Sequence, residues 1–565
     1  MRFKGRVLSG LRGSLGLGLG KAYLGGSGGT GGARKVKPSS KMEALVSGAV
    51  DATGVAKERV RIVNGRDNRP PAESRYVLYW MTSSFRSKQN EPLEVAKALA
   101  NQLDLPLVVL VTVDLERYRA GSIRHVVFLL EGLAELDKAL KVKRVHLVVR
   151  IEPPVAMVNG QEAINVLGSE EFDVQGFTDL ASIIVLDRQY LRHARRANDA
   201  VIESAPCLTV EVESRLSIPL EIATPKGRPV DPDAFFQTYF ETARKFCQEI
   251  VNQRVSRKIV LCDLSKLGYH WHLDQVEWTA EDWLANESAL KEILNEAGVD
   301  TNVVVSDGGL YQGGEASARK LLTIFLTSKL RNYRVMHMKL DEDLRPEYGS
   351  MLAPYITFGF ITTSDVLMKL YEQPYKQADV DALTRNLAKR ELAYHTCYYV
   401  PTYDSYDELL PKSVRQSLAV FANYRGPQHR YSTLQWERAE IEDENWNAAQ
   451  SELLNNGRGM RSNRMRWCQK IVETERNPAA AFTLALFLND KYMLDALDPC
   501  SITGVADCFY TIRAPDAPLD RSFVFGFGDR HKALMYDEEL DVRDRRKSIS
   551  PITPEGGSNL RIAEF

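Results

Sequence analysis

The amino-acid sequence predicts an α/β domain with a doubly wound parallel sheet, followed by an all-helical domain. Over 75–215, short β-branched runs alternate with longer segments of helical spacing, which is typical of a parallel sheet covered by helices on both faces. From about residue 305 the apolar residues recur almost entirely at helical spacing. The 565 residues suffice for two or three domains.

The elements of the first domain follow one another in a regular order. Strands are predicted at 75–81, 105–113, 144–150 and 182–187, with helices at 93–103 and 125–140. The sheet is of the Rossmann-like type, but its first strand is not followed by the GxGxxG fingerprint of dinucleotide binding. A proline-rich stretch then opens a connector, which we place at 216–304. The helical domain is predicted at 305–540, with helices at 317–333, 380–399, 445–456 and 463–474.

The two ends of the chain differ in composition from the predicted domains. The first 41 residues hold nine Lys or Arg and twelve Gly, a composition that cannot offset the entropy of folding. We therefore predict a disordered extension over 1–74, which is either an organelle transit peptide or a plain basic tail. The polar tail over 541–565 contains Ser548, Ser550 and Thr553 in contexts that suit phosphorylation.

The overall composition indicates a soluble, intracellular protein. Hydrophobic residues make up 44% and charged residues 26% of the chain, and the net charge of −1 neither supports nor excludes nucleic-acid binding. The seven cysteines include no CxxC pair, so we expect no disulfide framework, no metal site and a reducing compartment. The longest apolar run, 479–488, is too short to span a bilayer. We expect a monomer without membrane association, in a mitochondrion, a plastid or the nucleus.

Four stretches of the helical half combine polar and aromatic residues. The turn "YGSMLAPYITFG" (348–359) suits backbone binding of a phosphate, although for this stretch taken alone an ordinary helix–helix turn is the better explanation. In "LNDKYMLDALDP" (488–499) the carboxylates lack the spacing of a calcium loop, so neutralisation of a buried arginine explains them better than a metal. The other two stretches are "KRELAYHTCYY" (389–399) and "WNAAQ" (446–450) with the basic run 457–467 that follows it.

These stretches, in this order, resemble the photolyase/cryptochrome flavoproteins, and within that family the class II cyclobutane pyrimidine dimer photolyases. "SMLAPYITFG" resembles the SxLSPxxxFG flavin-binding turn, "KREL" resembles RREL, and "WNAAQ" is identical to the family string. "SNRMRW" resembles a segment that ends in RMYW, and "LNDKYMLDALDP" resembles LNDxYELDGRDP. The resemblance runs from residue 77 to about 536. It implies an antenna-type α/β domain, a helical domain that holds FAD, and a second chromophore of unknown identity.

The resemblance also implies roles for individual residues. The positions that it assigns to the cofactor are Tyr333, Ser350, Leu352, Arg464, Asn489, Asp495 and Asp498. Arg464 would place a fixed cation beside the flavin, and Asp495 would offset the cost of burying it. The positions that it assigns to catalysis are Glu391, which contacts the pyrimidine dimer, Asn489, which faces flavin N5, and Trp467 and Trp446, which match the inner members of an electron relay.

Several positions depart from the family pattern. Asp507 stands where the family has a tryptophan that packs against the dimer, and Met460 and His395 replace a histidine and an asparagine. Thr474 occupies the outer, solvent-facing position of the electron relay, which predicts slow photoreduction of the flavin. The sequence offers Tyr398, Tyr399 and Trp436 as possible replacements for that outer member.

Three functions are therefore open. The first is a light-driven photolyase (a carbon–carbon lyase) that binds pyrimidine-dimer DNA and repairs it under blue light. The second is a cryptochrome-like photoreceptor that binds FAD but signals to a partner through its polar C-terminal tail. The third is an interaction scaffold without flavin. The family's usual activity favours the first function, whereas Asp507 and the altered loop "DALDPCS" (495–501) count against it. The first two functions are therefore almost equally supported.

Overall fold

The computed structural model describes twelve stretches of the chain. They are 40–65, 75–152, 156–158, 161–163, 174–225, 232–253, 278–305, 311–338, 349–424, 431–458, 461–475 and 477–511. The predicted tail over 541–565, Met460 and the first 39 residues lie outside these described residues. Within the described part, no helix combines the length and the apolar character needed to cross a bilayer.

Eight strands are described, six of them in one sheet. Their bounds are β1 Val60–Asn64, β2 Tyr76–Trp80, β3 Leu107–Asp114, β4 His146–Glu152, β5 Ala156–Val158, β6 Gln161–Ala163, β7 Ala181–Asp187 and β8 Leu208–Val212. The sheet order is β1-β8-β7-β2-β3-β4, and β5 and β6 form a separate two-stranded ladder. The four strands predicted from the sequence correspond to β2, β3, β4 and β7. The predicted α/β class is therefore confirmed.

The order of the strands explains their composition. The ladders between β2, β3, β4, β7 and β8 are parallel, and β1 alone pairs antiparallel, with β8. Every residue of β2, β7 and β8 is buried, because helices cover both faces of the sheet. Two cores result, one on each face, and the larger one is continuous with the helical domain.

The predicted disorder over 1–74 is wrong for residues 40–64. A helix of 14 residues, Ser40–Thr53, packs on the helix that follows β2, and β1 extends the sheet at its edge. The buried Arg59 anchors this segment, since its guanidinium donates to the carbonyl oxygens of Leu216 (2.8 Å) and Ser217 (2.7 Å). Long-range contacts thus order a segment that composition alone assigned to a tail.

Twenty-two α-helices are described. Those of the α/β domain and the connector are α1 Ser40–Thr53, α2 Glu91–Leu103, α3 Leu115–Tyr118, α4 Ile123–Val142, α5 Val174–Asp179, α6 Arg192–Ser204, α7 Leu220–Ala223, α8 Pro232–Gln253, α9 Ala280–Ala285 and α10 Glu287–Glu296. Those of the helical domain are α11 Glu315–Ile324, α12 Tyr333–Met338, α13 Ala353–Thr357, α14 Thr363–Tyr371, α15 Gln377–Tyr399, α16 Tyr406–Leu409, α17 Lys412–Tyr424, α18 Thr433–Glu437, α19 Glu444–Asn456, α20 Arg461–Thr474, α21 Pro478–Tyr492 and α22 Pro499–Thr511.

The helical domain is built around α15, which packs against α8, α12, α14 and α22. Both α20 and α21 pack on α22 and on each other, so the three last helices form one cluster. A π-helical segment, Phe325–Lys329, follows α11 directly. The predicted helices at 317–333, 380–399, 445–456 and 463–474 are all present, with an interruption in the first.

Close backbone approach joins the two domains at Gly359. Its φ of +72° lies in the left-handed region, and a Cβ there would lie 1.9 Å from the carbonyl oxygen of Ser83. Arg215 spans the same contact, because its guanidinium donates to the carbonyl oxygens of Ser83 (3.0 Å) and Thr357 (2.9 Å). The glycine after the "APYITF" helix therefore allows the helical domain to rest on the loop that follows β2.

Candidate functional site

An ion pair between Arg464 and Asp495 marks the candidate site. Arg464 lies on α20, and Asp495 lies in the turn between α21 and α22, with 3.2 Å between Nη2 and Oδ1. Burial opposes the charge of Arg464, but the Asp495 carboxylate and the neighbouring cysteines together outweigh it, so the pKa of Arg464 is raised. The Nε–H of Arg464 finds no acceptor among the described residues. A fixed cation with one free donor is therefore held inside the helical domain.

Asn489 is fully buried near the end of α21. Its Nδ2 donates to the Ser501 hydroxyl (2.5 Å) and to Oδ1 of Asp490 (2.9 Å), which fixes the orientation of the amide. Its Oδ1 remains without a donor in the part of the chain that the structure describes. Burial raises the pKa of Asp490 to about 7, against the stabilising hydrogen bond from Asn489. A buried acceptor without a donor is costly, and it points to a group that would donate to it.

Asp498 holds the turn between α21 and α22 in place. Its Oδ1 accepts from the backbone N–H of Cys500 (2.8 Å) and lies 3.3 Å from the guanidinium of Arg390. Its Oδ2 lies 3.5 Å from Nη2 of Arg215 and accepts from the hydroxyl of Tyr394. Burial opposes the charge of Arg390, but Asp498 and the neighbouring ionisable groups together outweigh it, so the pKa of Arg390 is raised. Asp498 thus links the turn to α15 and to the α/β domain.

Thr357 connects the turn over 348–359 to this ion-pair network. Its hydroxyl accepts from Nη2 of Arg390 (2.7 Å) and donates to the backbone oxygen of Asp495 (3.3 Å). Ser350 and Leu352 precede the same helix, α13, and the Ser350 hydroxyl accepts from the N–H of Leu352 (3.4 Å). Five helical residues span about 7.5 Å, so Leu352 begins the helix whose other end contacts the network.

Tyr333 lies at the start of α12, against α15. Its ring packs edge-on against Phe325 at 5.4 Å, and its hydroxyl accepts from Nδ2 of Asn386 (3.0 Å). These contacts place Tyr333 beside the N-terminal half of α15, whereas Arg390 is on the C-terminal half. The structure therefore pairs Arg464 with Asp495, places Asn489 on the helix that leads into the Asp495 turn, and joins α13, which Leu352 begins, to that turn. Tyr333 contacts α15 at Asn386, one helical turn before Arg390.

Trp467 and Trp446 are stacked in the core. Their ring centroids lie 6.0 Å apart with an interplanar angle of 8°, and both rings are buried. Nε1 of Trp446 donates to the backbone oxygen of Trp467 (3.2 Å), and Nε1 of Trp467 donates to Oε1 of Gln450 (3.0 Å). Trp467 follows Arg464 by three residues on α20, which sets the pair one helical turn from the cation.

Glu391 points to the connector. Its Oε1 accepts from the N–H of Ser217 (2.8 Å), the hydroxyl of Tyr239 (3.2 Å) and the hydroxyl of Thr363. Burial raises the pKa of Glu391, and the hydrogen bond from the Ser217 hydroxyl opposes the shift. Successive helical residues point about 100° apart, so Arg390 faces Asp498 while Glu391 faces α8 and α14. The described contacts place Glu391 in the packing of the connector, and not in the group around Arg464.

Three departures from the family pattern can be located. Asp507 lies half-buried on α22. Thr474 is buried at the end of α20, where its hydroxyl donates to the backbone oxygen of Lys470 (2.8 Å). His395 is buried against Phe235, with ring centroids 5.0 Å apart, and burial lowers its pKa to about 3. Neither ring nitrogen of His395 has a hydrogen-bond partner within the described ranges.

Sequence reasoning missed the partners that hold these side chains. Arg390, Thr357 and Gln450 had no assigned role, although each lies in a motif that resembles the family. Gln450 follows Trp446 by four residues, so helical spacing alone would place both side chains on one face of α19. The contact between Arg390 and Asp498 joins residues 108 positions apart, and only the fold reveals it.

A crevice lies between the two domains at the carboxyl ends of β2 and β7. These neighbouring strands lead into connections on opposite sides of the sheet, which is where ligands bind in doubly wound sheets. The loop after β2 is held by Asp187, whose Oδ2 accepts three successive backbone N–H groups, from Thr82 to Ser84. The crevice is lined by Ser83, Arg117, Gln189, Tyr190, Arg215 and Tyr394, among others.

Comparisons with known proteins agree with this architecture. The family model described as DNA photolyase matches residues 77–255. A deoxyribodipyrimidine photo-lyase of Methanothermobacter thermautotrophicus is 28% identical over 453 residues, which is 80% of this chain and 89% of that protein. The protein of the same name from Oryza sativa subsp. japonica is 28% identical over 467 residues, 80% of this chain and 82% of the relative.

Two solved structures share the fold. A class III photolyase from Agrobacterium tumefaciens superposes with a TM-score of 0.51 at 16% identity, covering 85% of this chain and 88% of its own. A cryptochrome from Synechocystis sp. PCC6803 gives a TM-score of 0.51 at 15% identity, covering 82% and 87%. What the chain shares with these structures is the fold, an α/β domain joined to a helical domain. Together with the family match and the named relatives, this similarity supports the photolyase/cryptochrome family that the motifs indicated.

Proposed function

We propose that this protein binds FAD in its helical domain and uses blue light to drive electron transfer to cyclobutane pyrimidine dimers in DNA. The observation that carries the proposal is the ion pair of Arg464 with Asp495, which lies one helical turn from the stacked tryptophans, together with the buried amide of Asn489, whose Oδ1 has no donor among the described residues. The names of the curated relatives, which match 80% of this chain, support the substrate. The motifs "WNAAQ" and "LNDKYMLDALDP" support the class II subtype.

The described side chains fit FAD. Two buried polar atoms without partners, Oδ1 of Asn489 and the Nε–H of Arg464, offer an acceptor and a donor. A ring system with both amide N–H and carbonyl groups could satisfy both. When bound and reduced, FAD supplies a light-excited electron donor that protein side chains lack. Leu352 would add an apolar contact from α13, and we propose Tyr333 and Ser350 as contacts to the remainder of the cofactor.

The residues of this chain would then perform three tasks. The Arg464 cation would stabilise negative charge at the site, and Asp495 holds that cation at a fixed place. The Asn489 amide, oriented by Ser501 and Asp490, would present its oxygen to a protonated ring nitrogen. The apolar helices would exclude water, which strengthens each of these electrostatic interactions. Asp498 would contribute by holding the turn that carries Asp495.

Binding of the cofactor is tested first. The purified protein is expected to show flavin absorbance, and Arg464→Met is expected to lose most of it while Arg464→Lys keeps part. The exposed pair Lys138–Glu281 supplies the matched control, because Lys138→Met removes a cation with little structural consequence. Wild-type protein that folds and takes up no FAD when supplied with it would disprove this proposal.

One observation favours a second function, that of a photoreceptor without repair activity. Asp507 places a carboxylate on α22 at the position that the resemblance assigns to dimer stacking, and Glu391 is engaged by the connector. A carboxylate near phosphates repels DNA. Protein that binds FAD and repairs no dimer, even with chemically reduced flavin, would favour this second function.

The crevice between the domains is the place that we propose for a second chromophore. It lies at the switch point of the sheet and carries Arg117, whose Nε–H has no acceptor in the described part of the chain. Mass spectrometry of the small molecules released from the native protein tests this. A second chromophore that is lost on Arg117→Met is the expected result, and release of FAD alone would contradict it.

A further inference from the structure

A row of aromatic rings continues from the stacked tryptophans to the surface. Beyond Trp467 and Trp446 lies the indole of Trp436. The ring centroids of Trp436 and Trp446 are 4.7 Å apart, at an interplanar angle of 74°. The phenol ring of Tyr431 lies 5.5 Å from Trp436, at 85°. Trp436 is fully buried and Tyr431 is partly exposed. A row of four aromatic rings, whose neighbouring centroids lie 4.7–6.0 Å apart, therefore extends from the core towards solvent.

The other candidates for an outer relay member lie elsewhere. Thr474 has no aromatic ring that could give up an electron to the relay, and its hydroxyl donates a hydrogen bond to the backbone of its own helix. The ring centroids of Tyr398 and Tyr399 lie 5.1 Å apart. Both tyrosines pack in a separate cluster with Tyr190, at the C-terminal end of α15. Only Trp436, of the three aromatic side chains that the sequence offers, makes a described ring contact with the stacked tryptophans.

We propose that Trp436 and Tyr431 form the electron exit of this protein, replacing the outer member that Thr474 lacks. The proposal rests on the proposed function, because light-excited oxidised FAD is the oxidant. One electron leaves Trp467 for the flavin, and the vacancy moves through Trp446 and Trp436 to Tyr431. Tyr431 loses one electron and its phenolic proton, which passes to water. An external thiol then returns a hydrogen atom to Tyr431 and becomes a thiyl radical, and the thiyl radicals of two turnovers combine to one disulfide.

Burial and hydrogen bonding favour movement of the positive charge outwards along this row. A charge on the buried Trp436 is poorly solvated, and its Nε1–H has no described acceptor that could take up the proton. Tyr431 borders solvent, and the N–H of Glu442 donates to its hydroxyl oxygen (3.2 Å) without taking the place of water as a proton acceptor. Transfer from Trp436 to Tyr431 therefore moves the charge to the solvent-accessible end, where it can be neutralised by proton loss.

The experiment compares Trp436→Phe and Tyr431→Phe with the wild type and with Tyr406→Phe. Tyr406 is a matched control, because it is also partly exposed and packs edge-on against a phenylalanine, Phe482 (6.0 Å). The first readout is the tyrosyl radical seen by electron paramagnetic resonance after a light flash on FAD-loaded protein. We expect loss of that signal in both test variants and its retention in Tyr406→Phe.

The second readout needs no flavin. Azide radicals from pulse radiolysis oxidise tryptophans, and the conversion of tryptophanyl to tyrosyl radicals is followed by absorbance. We expect Tyr431→Phe and Trp436→Phe to reduce this conversion and Tyr406→Phe to leave it unchanged. Equal conversion of tryptophanyl to tyrosyl radicals in the wild type and in the three variants would overturn the proposal that Trp436 and Tyr431 form the electron exit. This outcome does not depend on whether FAD binds. Failure to bind FAD would defeat the proposed function alone. Tyr431→Phe keeps the ring and removes the hydroxyl with its exposed hydrogen bond from the N–H of Glu442, so this variant carries the test even if Trp436→Phe does not fold.

Discussion

The indole rings of Trp446 and Trp467 lie parallel in the core, 6.0 Å apart, and each is fixed by a hydrogen bond from its own ring nitrogen. Trp446 donates to the backbone of α20, and Trp467 donates to a side chain of α19. Each of the two helices therefore accepts a hydrogen bond from the indole that the other carries. These bonds hold the two rings at a set separation, which suits electron transfer between them.

Gln450 is the side chain that holds the indole of Trp467 in this arrangement. It is fully buried, accepts from Nε1 of Trp467 and donates to the backbone oxygen of Glu437 (3.2 Å). Gln450→Leu leaves two buried polar groups without partners, so we expect the free energy of unfolding to fall by about 2–3 kcal/mol. Urea unfolding measures this. Gln469→Leu, which removes only a surface contact with Glu473, should change it by less than about 0.5 kcal/mol.

Asp495→Asn removes the charge that offsets the burial of Arg464. Since the cation is then poorly compensated, we expect lower FAD retention and a fall of about 1–3 kcal/mol in the free energy of unfolding. Flavin absorbance per protein and urea unfolding of the flavin-free form are the two measurements. Asp381→Asn, which alters an exposed contact with Gln377, is the control. A variant with full flavin and unchanged stability would show that Asp495 does not serve Arg464.

Acid is expected to destabilise the protein through its buried histidines. Burial lowers the pKa of His395 to about 3 and that of His125 to about 4, whereas both titrate near 6.5 when unfolded. Below pH 6.5 the unfolded chain binds protons that the folded chain does not, so stability falls as pH decreases. Each histidine contributes up to about 1.4 kcal/mol per pH unit between its two pKa values.

His395→Leu tests this dependence. Because His395 lacks described hydrogen bonds, leucine can fill its place, and we expect a smaller loss of stability between pH 6.5 and 4.5 than in the wild type. The measurement is the free energy of unfolding from urea curves at several pH values. Parallel pH curves for the two proteins would mean that the pKa of His395 is the same in the folded and unfolded states, which would contradict its lowering by burial.

Asp507→Trp would restore an aromatic surface on α22. Stacking contributes about 1–3 kcal/mol per base, so we expect affinity for a dimer-containing oligonucleotide to rise about 5- to 150-fold. Asp507→Asn removes only the charge, and the difference between the two variants separates stacking from repulsion. Fluorescence anisotropy at several salt concentrations measures both. Equal affinity of Asp507→Trp and the wild type would exclude this surface from DNA binding.

Local pattern was enough to predict four of the six strands of the main sheet and six of the longer helices. The β-branched runs of β2, β3, β4 and β7 and the apolar spacing of α15, α19 and α20 are properties of single segments. The edge strand β1 was missed because its order depends on Val212, 152 positions from its partner Val60. The basic composition before it favoured disorder, and neither Arg59 nor its acceptors at 216 and 217 form a local pattern.

The candidate site was predictable only in part. The motifs indicated Arg464, Asp495, Asn489 and the two tryptophans; the structure pairs Arg464 with Asp495 and stacks the two indoles, and a shared role of these side chains stays a prediction. The surroundings of Glu391 come from three separate segments, so its orientation could not be read from "KREL". The contact of Trp436 with Trp446 also depends on how the turn between α18 and α19 folds. The slow photoreduction predicted from Thr474 therefore contrasts with the exit that we propose.

Light-dependent repair of a pyrimidine dimer by FAD-loaded, chemically reduced protein tests the central proposal most directly. Reduction beforehand removes any dependence on the aromatic exit, so only the site and its DNA surface are tested. We expect dimers in an oligonucleotide to be split under blue light, with no repair in darkness and none by flavin-free protein. Bound, reduced FAD without any light-dependent repair would contradict the proposal that this protein is a DNA photolyase.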